Sequence, residues 1–190
     1  MAAGLPILEG YGLTETSPVI SVNTFKELRL GTVGKPLPGN EVRIAPDGEI
    51  MTRGPNVMQG YFNKPDATRE VLEPDGWLHT GDIGRFDDAG YLYIVDRKKD
   101  MIISGGENIA SREIEEVLRR HAAVRDCAVI GVPDAKWGES PCAVLRLTRD
   151  VSDQELSVHC RTWLAAYKTP RRWIRVEELP LNAAGKIDKP

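Results

Sequence analysis

The stretch from residue 96 to residue 109 reads DRKKDMIISGGENI and decides how the rest of the chain is interpreted. Its charged start, Asp96–Asp100, leads into a short apolar run, Met101–Ile103, and then into the pair Gly105-Gly106. Adjacent glycines let a backbone bend where side chains would clash, or approach a ligand closely. A charged connector followed by a buried strand and a glycine turn is typical of a joint between two bodies.

The residues before this stretch are punctuated by turns. The sequence PDG, a turn-forming combination, occurs at residues 46–48 and again at 74–76. Short runs with strand character lie between the turns, at Glu41–Ile44, Glu49–Thr52 and Tyr91–Val95. Close turns and short strands predict a small antiparallel sheet or barrel without a long helix.

The residues after Ser104 alternate between helical and extended patterns. Apolar residues recur at helical spacing after Ser111, the expected N-cap. A second helix is predicted from the capping-box pattern at Ser152–Glu155, with an apolar face that extends to Tyr167. Strands are predicted at Met101–Ile103, Asp126–Val132, Pro141–Leu147 and Trp173–Val176. The expected fold class is therefore α+β, a small β-rich, barrel-like segment followed by a compact α+β domain.

Composition excludes several classes of protein. The chain has 190 residues, of which 41% are hydrophobic and 28% charged, as in a globular protein of one ordinary domain or two small ones. A net charge of -3 argues against nucleic acid as the main partner. No apolar run reaches the roughly 18 residues of a transmembrane segment, and no signal peptide is visible. The cysteines show neither zinc-binding nor disulfide spacing, so we expect a cytoplasmic protein with reduced, mostly buried cysteines. Homo-oligomerisation is left open.

Two short segments have side chains that suit nucleotide chemistry. YGLTET at residues 11–16 combines a glycine, hydroxyl groups and the carboxylate of Glu15. Mg²⁺ usually reaches a protein through one or two carboxylates plus substrate phosphates, although a polar loop near a helix start has the same composition. HTGD at residues 79–82 is predicted to place Asp82 just after a glycine turn. Its carboxylate could accept both hydrogen bonds from a ribose diol, and an aspartate-capped turn is the alternative.

Two single residues complete the set of candidates. Lys186 follows Gly185 in a polar tail, where a mobile ammonium group suits a developing oxyanion or phosphate. An ordinary surface lysine is the alternative. Trp137 lies in a predicted loop between two strands, where it either caps the packing or stacks on a purine.

Four segments occur together in a characteristic order, YGLTET at 11–16, LHTGD at 78–82, DRKKDMIISGGENI at 96–109 and NAAGK at 182–186. Together they resemble the adenylate-forming superfamily, which includes acyl-CoA synthetases, luciferase-like enzymes and peptide-synthetase adenylation domains. The resemblance covers essentially the whole chain but only the back part of the family. It implies that ATP and Mg²⁺ activate a small-molecule carboxylic acid as an acyl-adenylate, which then passes its acyl group to coenzyme A.

The resemblance also implies roles for the residues of the first segment. Tyr11 and Gly12 would lie beside the adenine and the acyl carbonyl. Thr14 would bond the α-phosphate, and Glu15 would hold Mg²⁺. Thr14 and Glu15 would thereby take part in catalysis as well as binding.

The other three segments receive roles in the same way. Asp82 would bind the ribose hydroxyls, assisted by Arg97. Lys186 would stabilise charge during adenylation, and Lys99 would be the hinge. The coenzyme A site would comprise Gly105, Gly106, Glu107, Trp137 and Tyr167.

The resemblance finally predicts how the chain is organised and what it does. Residues 1–97 would be the carboxy-terminal remnant of a large AMP-binding domain, and residues 98–190 a mobile domain with its hinge at about 97–100. The predicted function is an AMP-forming acyl-CoA ligase of the type that acts on fatty or aromatic acids, with a fatty acid as the expected substrate. The chain alone is expected to be inactive because the phosphate loop and most of the acyl pocket are absent from it. The alternatives are a peptide-synthetase-type adenylation fragment, a non-catalytic CoA- or nucleotide-binding module, and an interaction domain.

Overall fold

The computed structural model of the chain describes residues 6–183 and 185–189. Compact contacts divide the chain into two units, Met1–Lys98 and Lys99–Pro190. Strands outnumber helices in both units, and the predicted α+β class is confirmed. Within the described residues, no helix is long and apolar enough to cross a membrane.

The first unit contains two antiparallel sheets. One has three short strands in the order β1-β2-β3, namely β1 (Gly10–Tyr11), β2 (Ser21–Val22) and β3 (Lys35–Pro36). The other is a four-stranded meander of β4 (Glu41–Ile44), β5 (Glu49–Arg53), β6 (Leu78–Phe86) and β7 (Leu92–Arg97). Between β5 and β6 the chain forms one helix, α1 (Pro65–Val71).

Sequence patterns located β4, β5 and β7 but missed the other strands and the helix of this unit. Strands β1, β2 and β3 have two residues each, too few for an alternating pattern. Helix α1 has only seven residues, too few for a clear periodic pattern, and begins with Pro65 at a position that favours proline. Strand β6 contains Gly81 and Gly84, and glycine is unfavourable within strands. The prediction that Asp82 follows a turn is therefore wrong, because Asp82 lies inside β6.

The second unit is a mixed sheet covered by two helices. Its elements are β8 (Ile102–Ser104), β9 (Glu107–Ile109), α2 (Ser111–Arg119), β10 (Val124–Asp134), β11 (Gly138–Leu147), α3 (Asp153–Trp163) and β12 (Arg172–Arg175). The strands have the order β10-β11-β8-β9, and β12 pairs with β11 in parallel. The short 3-10 turn Lys98–Asp100 leads into this unit, and a second such turn spans Ala166–Lys168.

The core of the second unit lies between the sheet and the two helices. Ile114 and Leu118 of α2 and Leu156 of α3 are fully buried there, together with Leu145 of β11. Burying one such side chain contributes about 1.5–3 kcal/mol relative to leaving it exposed. Cys127, Cys142 and Cys160 are buried and unbridged, as expected.

The helix starts were predicted with mixed success. Ser152 caps α3, since its hydroxyl accepts a 3.1 Å hydrogen bond from the Glu155 amide. The N-cap of α2, by contrast, is Ala110, so the prediction of Ser111 is wrong by one residue. Helix α3 ends at Trp163, and Tyr167 lies in the following 3-10 turn because the chain turns before Thr169-Pro170.

Candidate functional site

Tyr11 and Asp82 form the clearest polar contact of the first unit. The Tyr11 hydroxyl donates a 2.6 Å hydrogen bond to Asp82 Oδ2, although the two residues are 71 positions apart. Strand pairing places Asp82 of β6 opposite Arg97 of β7. Burial raises the pKa of Asp82, while the Tyr11 hydrogen bond and the charge of Arg97 act in the opposite direction. The structure thus brings together three of the residues predicted for the nucleotide.

The backbone of the YGLTET segment passes very close to Pro18 at Gly12. A Cβ atom at Gly12 would lie 1.6 Å from the Pro18 carbonyl oxygen, so only glycine fits there. Thr14 is exposed in the 3-10 turn Thr14–Thr16, beside Glu15. Glu15 Oε1 accepts a 2.9 Å hydrogen bond from the Tyr61 hydroxyl, which fixes the direction of the carboxylate.

A cavity of about 330 Å³ adjoins Glu15 within the first unit. Its wall includes Glu15, Tyr61, Glu49, His79 and Lys98. Three carboxylates, those of Glu15, Glu49 and Glu70, face it together with the two cationic or potentially cationic groups. The cavity can therefore hold a charged ligand, with donors and acceptors both present.

Glu49 organises this wall and was not among the residues predicted from the sequence. Its side chain is only 4% exposed. It accepts hydrogen bonds from the Gly81 amide at 2.9 Å and from Lys98 Nζ at 2.8 Å. Burial raises the pKa of Glu49, but the hydrogen bonds from Lys98 and His79 outweigh it and leave the pKa below its ordinary value. Nothing in the sequence distinguishes Glu49 from the exposed glutamates, because its importance comes from these distant partners.

His79 lies between two carboxylates. Its Nδ1 is 3.0 Å from Glu49 Oε2, and its Nε2 is 3.1 Å from Glu73 Oε1. Hydrogen bonding to Glu49 raises the pKa of His79 against the opposing effect of burial, and Glu73 raises it further. The contacts with two carboxylates therefore hold the start of the HTGD segment in place and favour the protonated form of the ring.

Glu15 offers a single oriented carboxylate for Mg²⁺. Across residues 6–183 and 185–189, no group of three or more His, Cys, Asp or Glu side chains is arranged to hold a metal ion. Mg²⁺ bound with a nucleotide needs only one or two protein carboxylates, since phosphates and water supply the other ligands. The carboxylate of Glu15 therefore fits Mg²⁺ that is bound together with a nucleotide.

Gly105 and Gly106 form the turn of a tight hairpin in the second unit. Ser104 pairs with Glu107 across it, and both glycines have positive φ, 61° and 88°, as a two-residue type I′ turn requires. Gly105 also lies against Trp137, because its amide donates a 2.8 Å hydrogen bond to the Trp137 carbonyl oxygen.

Trp137 is half-buried in the turn between β10 and β11, where the sequence placed it. Its ring has Lys136 Nζ at 4.5 Å and Arg171 Cζ at 5.0 Å from the centroid. Tyr167 is 42% exposed in the turn 166–168, with Lys168 Nζ at 5.9 Å from its ring. The structure therefore joins Gly105 to Trp137, and gives Tyr167 a separate setting.

Lys99 and Lys186 are both exposed. Lys99 is the first residue of the second unit and lies in the 3-10 turn before β8. Lys186 lies in a small loop whose strand-like ends pair at Leu181 and Ile187. Each position leaves an ammonium group accessible to a ligand.

Comparisons with known proteins identify the family. The family model described as "AMP-binding enzyme" matches residues 1–62, and the model described as "AMP-binding enzyme C-terminal domain" matches residues 113–186. The chain belongs to this family of adenylate-forming enzymes.

Individual relatives are similar over nearly the whole chain. A 2-succinylbenzoate–CoA ligase of Bacillus cereus is 45% identical over 97% of the chain. The solved o-succinylbenzoate CoA synthetase of Bacillus subtilis, in complex with its acyl-adenylate intermediate, is 43% identical with a TM-score of 0.89 over 98% of the chain. The same enzyme in complex with ATP and a magnesium ion gives 42% identity and a TM-score of 0.87, again over 98% of the chain. The chain spans about two fifths of the length of these relatives, 40%, 40% and 41% respectively.

Proposed function

We propose that these residues are the carboxy-terminal part of an AMP-forming acid–CoA ligase. The contact between Tyr11 and Asp82, with Arg97 in register beside them, carries the proposal. Segments that lie far apart in the chain would thereby orient the Asp82 carboxylate for the ribose hydroxyls. The solved relatives bind ATP, magnesium and an acyl-adenylate with folds of the same kind.

The proposed acid is an aromatic carboxylic acid of the 2-succinylbenzoate type. Relatives that are 45% and 43% identical are named for 2-succinylbenzoate and o-succinylbenzoate. The fatty acid expected from the sequence has no support from these names and is not retained.

In the adenylation step, the first unit would hold the nucleotide. Asp82 Oδ2 is bonded to Tyr11, so the second carboxylate oxygen would accept from the ribose hydroxyls, with Arg97 assisting. Gly12 would let the backbone approach the adenine and the acyl carbonyl, and Thr14 would donate to the α-phosphate. Bound to Glu15, Mg²⁺ would offset phosphate charge. Lys186 would stabilise the charge that develops as the acid attacks the α-phosphate and pyrophosphate leaves.

In the thioester step, a different face of the second unit would meet the acyl group. The turn of Gly105, Gly106 and Glu107 would admit the pantetheine thiol, while Trp137 and Tyr167 would contact the nucleotide of coenzyme A. Lys186 and the glycine turn would not contact the substrate carbonyl at the same time. Rotation of the second unit about Lys99 would replace one by the other between the two half-reactions. We also propose that the hinge between the two domains lies at residues 97–100 and that the ligase is cytoplasmic.

A direct experiment tests the proposal. The chain is joined to the amino-terminal segment of the Bacillus subtilis relative, and acid-dependent pyrophosphate release from ATP is measured with 2-succinylbenzoate and with a fatty acid. We expect turnover with the aromatic acid in the fusion, and none in the 190-residue chain alone. Lys186→Ala should abolish most of the adenylation, while Lys26→Ala, at an exposed position, should leave it unchanged. A folded fusion without turnover, or robust turnover by the chain alone, would contradict the proposal.

The main alternative is a module that binds CoA or nucleotide without catalysis. The aromatic ring of Trp137, which has two cationic side chains within 5.0 Å of its centroid, favours this module as a second candidate. Titration calorimetry of the chain with coenzyme A, ATP and AMP distinguishes the binding module from a part of a ligase. Tight binding by the chain, combined with an inactive fusion, would support the module.

A further inference from the structure

Lys189, beyond the last sequence motif, is held in a nearly buried cluster of charged groups. Its side chain is 13% exposed, and Nζ lies 2.6 Å from Glu115 Oε1, whose side chain is 9% exposed. Nζ also donates a 2.8 Å hydrogen bond to Ser111 Oγ and lies 3.9 Å from Asp100 Oδ2. Charged side chains are rarely buried to this extent unless they are paired. The contacts therefore fix the end of the chain's tail on α2.

The partner of Lys189 is itself held rigidly. Glu115 Oε1 accepts a 2.8 Å hydrogen bond from the Val129 amide, which ties α2 to β10. Glu115 Oε2 lies 3.5 Å from Arg119 Nη2, one helical turn later. The carboxylate that receives Lys189 thus belongs to the core framework of the second unit.

Lys186 lies in a closed loop just before this anchor. The loop is tightened by a 2.8 Å hydrogen bond from the Asn182 amide to the Lys186 carbonyl oxygen, and by one of 2.9 Å from the Asp188 amide to the Pro180 carbonyl oxygen. The Lys186 amide donates to Asn182 Oδ1 at 3.0 Å. These bonds shape the loop, but Lys189 attaches its far end to the body of the unit.

We propose that Lys189 is a positioning residue that holds Lys186 in place for adenylation. The inference rests on the proposed function of Lys186. The partners of Lys189, which are Ser111, Glu115 and Asp100, all belong to residues 99–190. The anchor is therefore internal to the second unit. A tail released from Glu115 would let the Lys186 ammonium group range over several ångströms, and misplacement by about 1 Å can cost roughly a hundredfold in rate.

Amide hydrogen exchange on the chain itself tests the anchor. Lys189→Met keeps the length of the apolar stem and removes the charge, and Lys189→Arg restores the charge. Arg161→Ala, at an exposed position of α3, is the control. We expect the amides of Lys186 and Asp188 to exchange faster by about tenfold or more in Lys189→Met, because a hydrogen bond between charged groups is lost. Lys189→Arg should recover much of the protection. Unchanged exchange in Lys189→Met would overturn the inference.

The two half-reactions of the fusion provide the second readout. Lys189→Met should slow adenylation by roughly ten- to a hundredfold and leave thioester formation from preformed acyl-adenylate unchanged. A merely structural loss would lower both half-reactions together. If Lys186→Ala slows adenylation and Lys189→Met does not, the positioning role is refuted while the proposed function stands. An unmodified fusion without adenylation would count against the proposed function itself.

Discussion

Replacing Gly105 by alanine tests whether the glycine turn is shaped by Trp137. The added Cβ would lie 2.7 Å from Trp137 Cε3 and 3.2 Å from Cζ3. Gly106 offers a matched control, because a Cβ there meets nothing within 4 Å while its φ is also positive, at 88°. Both variants carry the strain of an L-residue in the left-handed region, and only Gly105→Ala adds a steric conflict.

The magnitudes follow from these two contributions. Left-handed backbone costs about 1–2 kcal/mol for a residue with a Cβ. Overpacking at a tight contact costs about a further 1–3 kcal/mol. We therefore expect Gly106→Ala to lower the free energy of unfolding of the second unit by about 1–2 kcal/mol, and Gly105→Ala by about 2–5 kcal/mol.

Hydrogen exchange of β10 and β11 amides at increasing urea concentration measures the stability of the second unit separately from the first. In a Trp137→Ala background, Gly105→Ala should cost no more than Gly106→Ala, because the ring that it meets is gone. Equal costs of the two glycine variants in the wild-type background would refute the steric reasoning. So would a full cost of Gly105→Ala after the ring is removed.

Three further predictions concern stability and reactivity. Ser152→Ala should lower the free energy of unfolding of the second unit by about 1 kcal/mol, because the Glu155 amide loses its cap, as measured by urea titration. His79→Gln should destabilise the first unit at low pH more than at high pH. The Glu49 hydrogen bond raises the folded-state pKa of His79, so its stabilisation is fully present below pH 6.5, the ordinary value, and is lost as pH rises through the raised pKa. The Cys160 thiol, whose pKa burial raises to about 11, should react with a thiol reagent near neutral pH only after unfolding.

Each of these predictions has a control or an outcome that would contradict it. Ser157→Ala, in the middle of α3, should be neutral or slightly stabilising, and a loss equal to that of Ser152→Ala would remove the cap as the cause. A difference between His79→Gln and wild type that grows with pH would reverse the sign of the argument for His79. Rapid labelling of Cys160 in folded protein would show that its burial does not protect it.

The sequence anticipated most elements of the fold because their signals are local. Turn residues bounded β4 at the predicted ends, and the capping box located the start of α3. Strand β6 was missed because its glycines conceal the pattern of a strand that is supported by neighbours on both sides. The Ser111 prediction failed because the helix already begins at Ser111, with Ala110 as its N-cap. The Ser111 side chain accepts a hydrogen bond from Lys189, 78 positions later.

The sequence by itself determined the family and the types of functional group that the site contains. Short motifs carry them, since YGLTET, HTGD and the stretch from 96 to 109 each combine a few residue types within a few positions. Only the tertiary structure decided which groups meet. The contact of Tyr11 with Asp82, the burial of Glu49 and the anchoring of Lys189 on Glu115 join residues separated by tens of positions. Chain folding sets such distances, and no spacing along the sequence encodes them.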